Sequence, residues 1–169
     1  MTCVQSLRLF SQRGSVLITT TILVLMLTMM ALAALSLNST QTRIATNAAD
    51  AQVAFQAAEG ALNQAINNVL AGNYAAGGFL ANTKGLYLFS ASSAPLWSSV
   101  DWTSSSAVIQ SFQGGSSAPA AFIIEQLPSV IRPGQNMKTP AQIYRITARA
   151  VGASGNSPVV LQSTVQIQP

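Results

Sequence analysis

The sequence predicts an α+β chain: a long N-terminal helix, half transmembrane and half amphipathic, packed on a small antiparallel β-sheet. Three observations carry that expectation. Residues 15–42 hold no charged side chain. Beyond them, apolar or small residues recur at Ile44, Ala48, Ala51, Phe55, Ala58, Leu62, Ile66 and Val69, in steps of three and four that mark one face of a helix. From Ala120 onward the strand signal is clear, with two-residue alternation over 142–151 and 157–168.

Residues 16–37 are mostly Val, Leu, Ile, Met and Ala, with Thr and Ser as the only polar side chains. A helix needs about 20 such residues to cross a bilayer core. The backbone must satisfy its own hydrogen bonds there, which favours helix. The hydroxyls of Thr19, Thr20, Thr21 and Thr28 can bond to carbonyls one turn earlier and so do not forbid insertion. Three readings of the run compete. It is a signal peptide cut after Ala31-Leu32-Ala33, a plain membrane anchor, or a prepilin-type segment cut between Gly14 and Ser15. Signal cores are usually about 7–15 residues, shorter than this run.

Arg8 and Arg13 precede the run and place the N-terminus in the cytoplasm by the positive-inside rule. The expected organisation is a cytoplasmic leader over residues 1–14, a transmembrane helix over 15–37 and an amphipathic stalk over 38–71. A loop-rich antiparallel sheet domain follows over 72–169. No Pro or Gly interrupts residues 16–59, and Ala71-Gly72-Asn73 is a natural helix stop. Residues 74–119 are rich in Gly and Ser, with short apolar runs at 86–89 and 108–112 as candidate strands. Trp97 and Trp102 flank Asp101, either as covers for the core or as an exposed contact surface. Three stronger strand signals follow. Residues 121–127 end at Pro128. In 142–151, Tyr144, Ile146, Ala148 and Ala150 share one face. In 157–168, Val159, Leu161, Val165 and Ile167 alternate with polar residues. Residues 152–156 join the last two as a hairpin loop.

Only 7% of the residues are charged, against about 25% in an average soluble domain. Such a surface suits packing partners. The chain has no His and its one cysteine, Cys3, lies before the apolar run. The usual His/Cys metal sites and the Ser–His–Asp and Cys–His devices are therefore excluded. The four acids, Asp50, Glu59, Asp101 and Glu125, show no paired spacing, and no phosphate-binding glycine loop is present. The basic residues are scattered singly, without the interleaved aromatics of a nucleic-acid surface. Neither an enzyme nor a cofactor is expected.

Arg13-Gly14 followed at once by the apolar run resembles a type III signal, the substrate of a prepilin peptidase. Residues 38–47 (Asn-Ser-Thr-Gln-Thr-Arg-Ile-Ala-Thr-Asn) and 54–62 (Ala-Phe-Gln-Ala-Ala-Glu-Gly-Ala-Leu) resemble the N-terminal region of PilX-type minor pilins. That family commonly shows an ER-M-x-x-N … Q-x-A-F-Q-A-A-E-A-A-L run there. Residues 144–150 and 160–163 look like its C-terminal strands. The resemblance is strong over residues 12–70, fair over 143–165 and absent between.

The resemblance implies a pilin-like fold, cleavage between Gly14 and Ser15, and N-methylation of Ser15. It implies a protein that waits in the bacterial inner membrane and joins a pilus tip or initiation complex, at the cell surface. Partners would be other minor and major pilins, the prepilin peptidase, the inner-membrane assembly machinery and membrane lipid, with no nucleic acid. Phe55 and Glu59, inside the strongest motif, are expected to matter for assembly. Phe55 is expected beneath the sheet, and Glu59 either beside Arg145 or Arg149 or against another pilin. Most pilins carry Glu at the fifth position after the cut, where it meets the amine of a neighbouring subunit; here that position is Thr19. Its absence resembles the tip pseudopilin of type II secretion. A type II secretion pseudopilin and a membrane-tethered periplasmic binding domain are the alternatives.

Overall fold

Helix α1 (Arg13–Leu70) opens the computed structural model, which describes residues 13–74, 76–131 and 140–168. The leader expected over residues 1–14 lies outside the described residues except for Arg13 and Gly14. With no proline between Arg13 and Leu70, every turn of α1 can close its backbone bonds. Thr19, Thr20, Thr21 and Thr28 turn their hydroxyls back onto carbonyls of the preceding turn, as expected. The helix ends in a Schellman motif. Gly72 takes the left-handed conformation (φ 71°), its N–H donates to Val69 O at 3.1 Å, and Asn73 N–H donates to Asn68 O at 3.0 Å. Without a Cβ, glycine enters that region at no steric cost.

The chain divides into two compact units, Met1–Ala45 and Thr46–Pro169. In the first, the apolar side chains of α1 are exposed, among them Leu17, Leu23 and Leu32. The second unit contains the rest of α1 and all the strands. After α1 come α2 (Ala76–Leu80), β1 (Leu86–Leu88), α3 (Leu96–Ser99), β2 (Ile109–Gln110), β3 (Ala121–Val130), β4 (Ala141–Val151) and β5 (Pro158–Ile167). The five strands form one sheet in the order β1-β3-β4-β5, with β2 also paired to β3.

The fold class is the expected one, a long apolar helix with a sheet packed on it. The sheet differs in one respect. β2, β3, β4 and β5 pair antiparallel, but β1 runs parallel to β3, with Leu86 opposite Ile124 and Leu88 opposite Gln126, so the sheet is mixed. The 20 or so residues between β1 and β2 leave the chain free to return in either sense, and alternation within a strand does not record its direction. β3 also continues through Pro128, where residues 121–127 were expected to end. The pairing with β4 shifts between Leu127 and Val130, as a proline without an N–H requires.

Two apolar clusters hold the unit together. The larger joins one face of α1 to Phe79, Phe122, Ile124, Tyr144, Ile146, Ala148 and Ala150. The β4 face expected from its alternation is therefore the buried one. The smaller cluster lies on the opposite face of the sheet, where Val108, Ala121 and Ile123 are covered by Tyr87, Leu96, Val100, Trp102 and Ala107. β3 is thus buried on both sides, which explains its unbroken apolar run from Ala121 to Ile124.

The face that α1 presents to the sheet is the expected one from Ala58 to Val69 but not before it. Ala54, Ala57, Ala58, Ala61, Ala65 and Val69 are buried, Leu62 and Ile66 are half-buried, and Ala48, Ala51 and Phe55 are exposed. Phe55 keeps 42% of its surface in solvent and does not lie beneath the sheet. The inner face is instead supplied by alanines, which pack against Phe79, Phe122, Ile124 and Tyr144 from the other elements. At Gly60 a Cβ would overlap the Phe112 ring.

Candidate functional site

Of the residues singled out in the sequence, Gly14, Ser15 and Thr19 lie in the first compact unit, and Phe55 and Glu59 in the second. Gly14 and Ser15 lie in the first turn of α1 and are exposed, and nothing lies within 4 Å of the place a Cβ would take on Gly14. Thr19 is exposed as well. Its hydroxyl lies 3.1 Å from Ser15 O and 3.0 Å from Val16 O, so its one proton has an acceptor within the helix. A carboxylate at this position would have no such local donor to meet, and in lipid it would need a cation from elsewhere. Threonine removes that requirement.

Phe55 and Glu59 are four residues apart, so both project from the exposed side of α1, together with Ala51, Gln52 and Gln56. The expected pairing of Glu59 with Arg145 or Arg149 does not occur with Arg145. That guanidinium is held by Glu125 on β3, with Nε and Nη2 each 2.8 Å from a carboxylate oxygen. Arg145 and Glu125 are opposite one another in the β3–β4 register, and the cation also lies 5.2 Å from the centre of the Phe89 ring. Glu59 itself is exposed.

Asp50 is the acid whose role the sequence did not reveal. It is buried where α1 meets the β4–β5 loop and accepts two hydrogen bonds from Ser154, from the backbone N–H at 2.9 Å and from Oγ–H at 2.7 Å. The hydroxyl and N–H of Ser154 hold its carboxyl below the ordinary carboxylate value. Gly152 makes this approach feasible, because a Cβ there would overlap the Asp50 carboxylate. Asp50 therefore clamps the helix to a hairpin more than 100 residues away. The signal available was a lone acid in an otherwise uncharged stretch of helix between Arg43 and Glu59.

These features describe a helix with one side packed on a sheet and the other uncovered. A family model described as type IV pilus assembly protein PilX, C-terminal, matches residues 38–167. The chain belongs to the PilX family. The match takes in Asp50, Phe55, Glu59 and every strand, and begins after Thr19. No curated protein and no solved structure matches the chain. Membership in the PilX family assigns the chain a structural part in type IV pilus assembly. The apolar part of α1 is long enough to cross a membrane, and in a PilX-family protein it marks membrane association.

Proposed function

We propose that the chain is a minor pilin that enters the tip or initiation complex of a type IV pilus together with other minor pilins. The observation that carries this reading is the outward-facing side of α1. Phe55 is exposed beside Ala51, on a helix whose inner side is already filled by the sheet. A large ring left in water on a regular helix is a surface that a second helix can cover, and the partner of that chemistry is another pilin. Glu59, one turn further along, then supplies a charge at the edge of the contact.

The N-terminal residues support the finer placement. Gly14 and Ser15 are open to a prepilin peptidase, which leaves Ser15 as the mature, N-methylated end. Before assembly the chain waits in the inner membrane with its N-terminus cytoplasmic, held by lipid and by the assembly machinery. Thr19 lacks the carboxylate that would meet the amine of a subunit above, and a subunit at the tip has none above it. The type II secretion alternative shares this feature, but the PilX match favours the pilus.

Immunogold labelling of an epitope inserted at Gly115 tests the placement. Label at one end of sheared filaments is the expected result, and label spread evenly along them would overturn the tip assignment. Co-purification with other minor pilins, with the mature N-terminus at Ser15, is expected alongside. A start after Ala33 would establish the signal-peptide reading instead.

A further inference from the structure

The sheet domain carries a concave site that neither the helix nor the pilus reading uses. A cavity of about 390 Å³ opens beside the ends of β2, β3 and β4, lined by Trp102, Thr103, Gln110, Ser117, Pro119 and Arg149 among others. Its volume is at the lower end of the roughly 300–1,000 Å³ typical of small-ligand pockets.

Arg149 is the charged residue of this lining. It is half-buried on β4, on the face turned away from α1, and no carboxylate pairs with it among the described residues. Arg145, four residues earlier on the same strand, shows the alternative, with Glu125 bound in a fork. A half-buried guanidinium in a cleft without an acid is a ready anchor for a planar anion.

The neighbours narrow the anion. The Nε1–H of Trp102 is already donated to Trp97 O at 3.0 Å, so toward a ligand Trp102 has only ring surface to offer. Gln110 and Ser117 bring neutral donors and acceptors whose side chains make no internal hydrogen bond among the described residues. The Thr103 hydroxyl donates to Asp101 Oδ1 at 2.6 Å and can still accept. One cation, one aromatic surface and several neutral hydrogen-bonding groups match a ligand with one carboxylate, an apolar C–H face and several hydroxyls.

We propose that this cavity binds a hexuronic acid unit of an acidic polysaccharide. Arg149 takes the carboxylate, Trp102 stacks against the C–H face of the ring, and Gln110 and Ser117 bond its hydroxyls. An acidic peptide fits less well, since it brings few hydroxyls for the neutral groups and repeated charges for a single cation.

The test uses the full chain in detergent micelles, titrated with digalacturonic acid and followed by calorimetry and by emission of its two tryptophans. Saturable binding is expected. Arg149→Gln should weaken it about tenfold to a hundredfold, the range of a lost charged hydrogen bond. The dimethyl ester of the same disaccharide should lose a similar factor on the unaltered protein, a result independent of how the variant folds. An Asp/Ala tetrapeptide should bind more weakly than the acid sugar. Any of four outcomes overturns the proposal: no saturable binding, equal affinity for acid and ester, affinity unchanged by Arg149→Gln, or a peptide that binds as tightly as the sugar.

Discussion

Phe55→Ala and Phe122→Ala, made separately, should separate stability from assembly. Phe122 is fully buried between the sheet and α1, so its truncation should cost about 3–5 kcal/mol. Phe55 needs a different baseline. Side chains on α1 without tertiary neighbours, such as Leu17, Leu23 and Leu32, are 69%, 61% and 68% exposed, whereas Phe55 is 42% exposed. The difference is about a quarter of a Phe surface of roughly 200 Å², so ~50 Å² is buried by tertiary contact. At about 25 cal/mol per Å² that contributes ~1 kcal/mol. The better helix propensity of alanine offsets about half of it. Urea titration of the full chain in detergent, followed by tryptophan emission, should therefore show a large midpoint shift for Phe122→Ala and a small one for Phe55→Ala. In cells, Phe55→Ala should nevertheless lower the number of pili. Equal destabilisation by the two changes would refute the assignment of the helix faces. A small shift with normal piliation would refute the outward surface as a contact.

Ala61→Leu, at a fully buried position of the helix–sheet seam, should cost about 1–3 kcal/mol by overpacking, while Ala51→Leu on the exposed side should change the melting midpoint little. Asp50 has a folded pKa below its ordinary 3.8, so its contribution is complete above that value and declines as pH falls through the lower folded value. Acid titration should show a loss of stability below pH 3.8 that is smaller in Asp50→Asn, which lacks the ionisation; parallel acid curves would disprove the clamp. Gly14→Val should block peptidase cleavage, seen as retention of the full mass. Thr19→Glu should leave cleavage intact and let the subunit enter filament shafts, read as a larger share of the protein in sheared pili.

The helix was legible from an apolar run without Pro or Gly followed by a three- and four-residue period, β4 and β5 from their alternation, and β3 from its short apolar run ending near Pro128. The phase of the stalk helix was legible only in part. Counting apolar and small residues alike drew the stripe through Ala48, Ala51 and Phe55, which are exposed, and it met the buried face only from Ala58 to Val69, because alanines lie on both faces of this helix and do not mark which is inner. The second apolar cluster was missed for a related reason. Alternation looks for one buried face, whereas Ala121, Phe122, Ile123 and Ile124 are all buried because β3 is covered on both sides. The direction of β1 depends on the route of the connection and leaves no mark on Leu86, Tyr87 and Leu88. The Asp50–Ser154 clamp and the Trp102–Arg149 cavity join residues about 104 and 47 positions apart, and single side chains at such distances carry no sequence pattern.

The alanine seam inverts the usual rule for where variation is tolerated. In most amphipathic helices the inner face accepts any apolar side chain of suitable volume and the outer face accepts any polar one. Here the inner positions, Ala57, Ala58, Ala61 and Ala65, admit little that is larger, because added bulk would strain the seam between helix and sheet. The outer positions make little contact within the chain, and even Phe55 buries only ~50 Å² of its surface there. Drift at Phe55 or Ala51 would leave the subunit folded and change only what it can associate with. A subunit built this way can acquire new partners by substitutions on one side of one helix while its own fold stays under separate, stricter constraint.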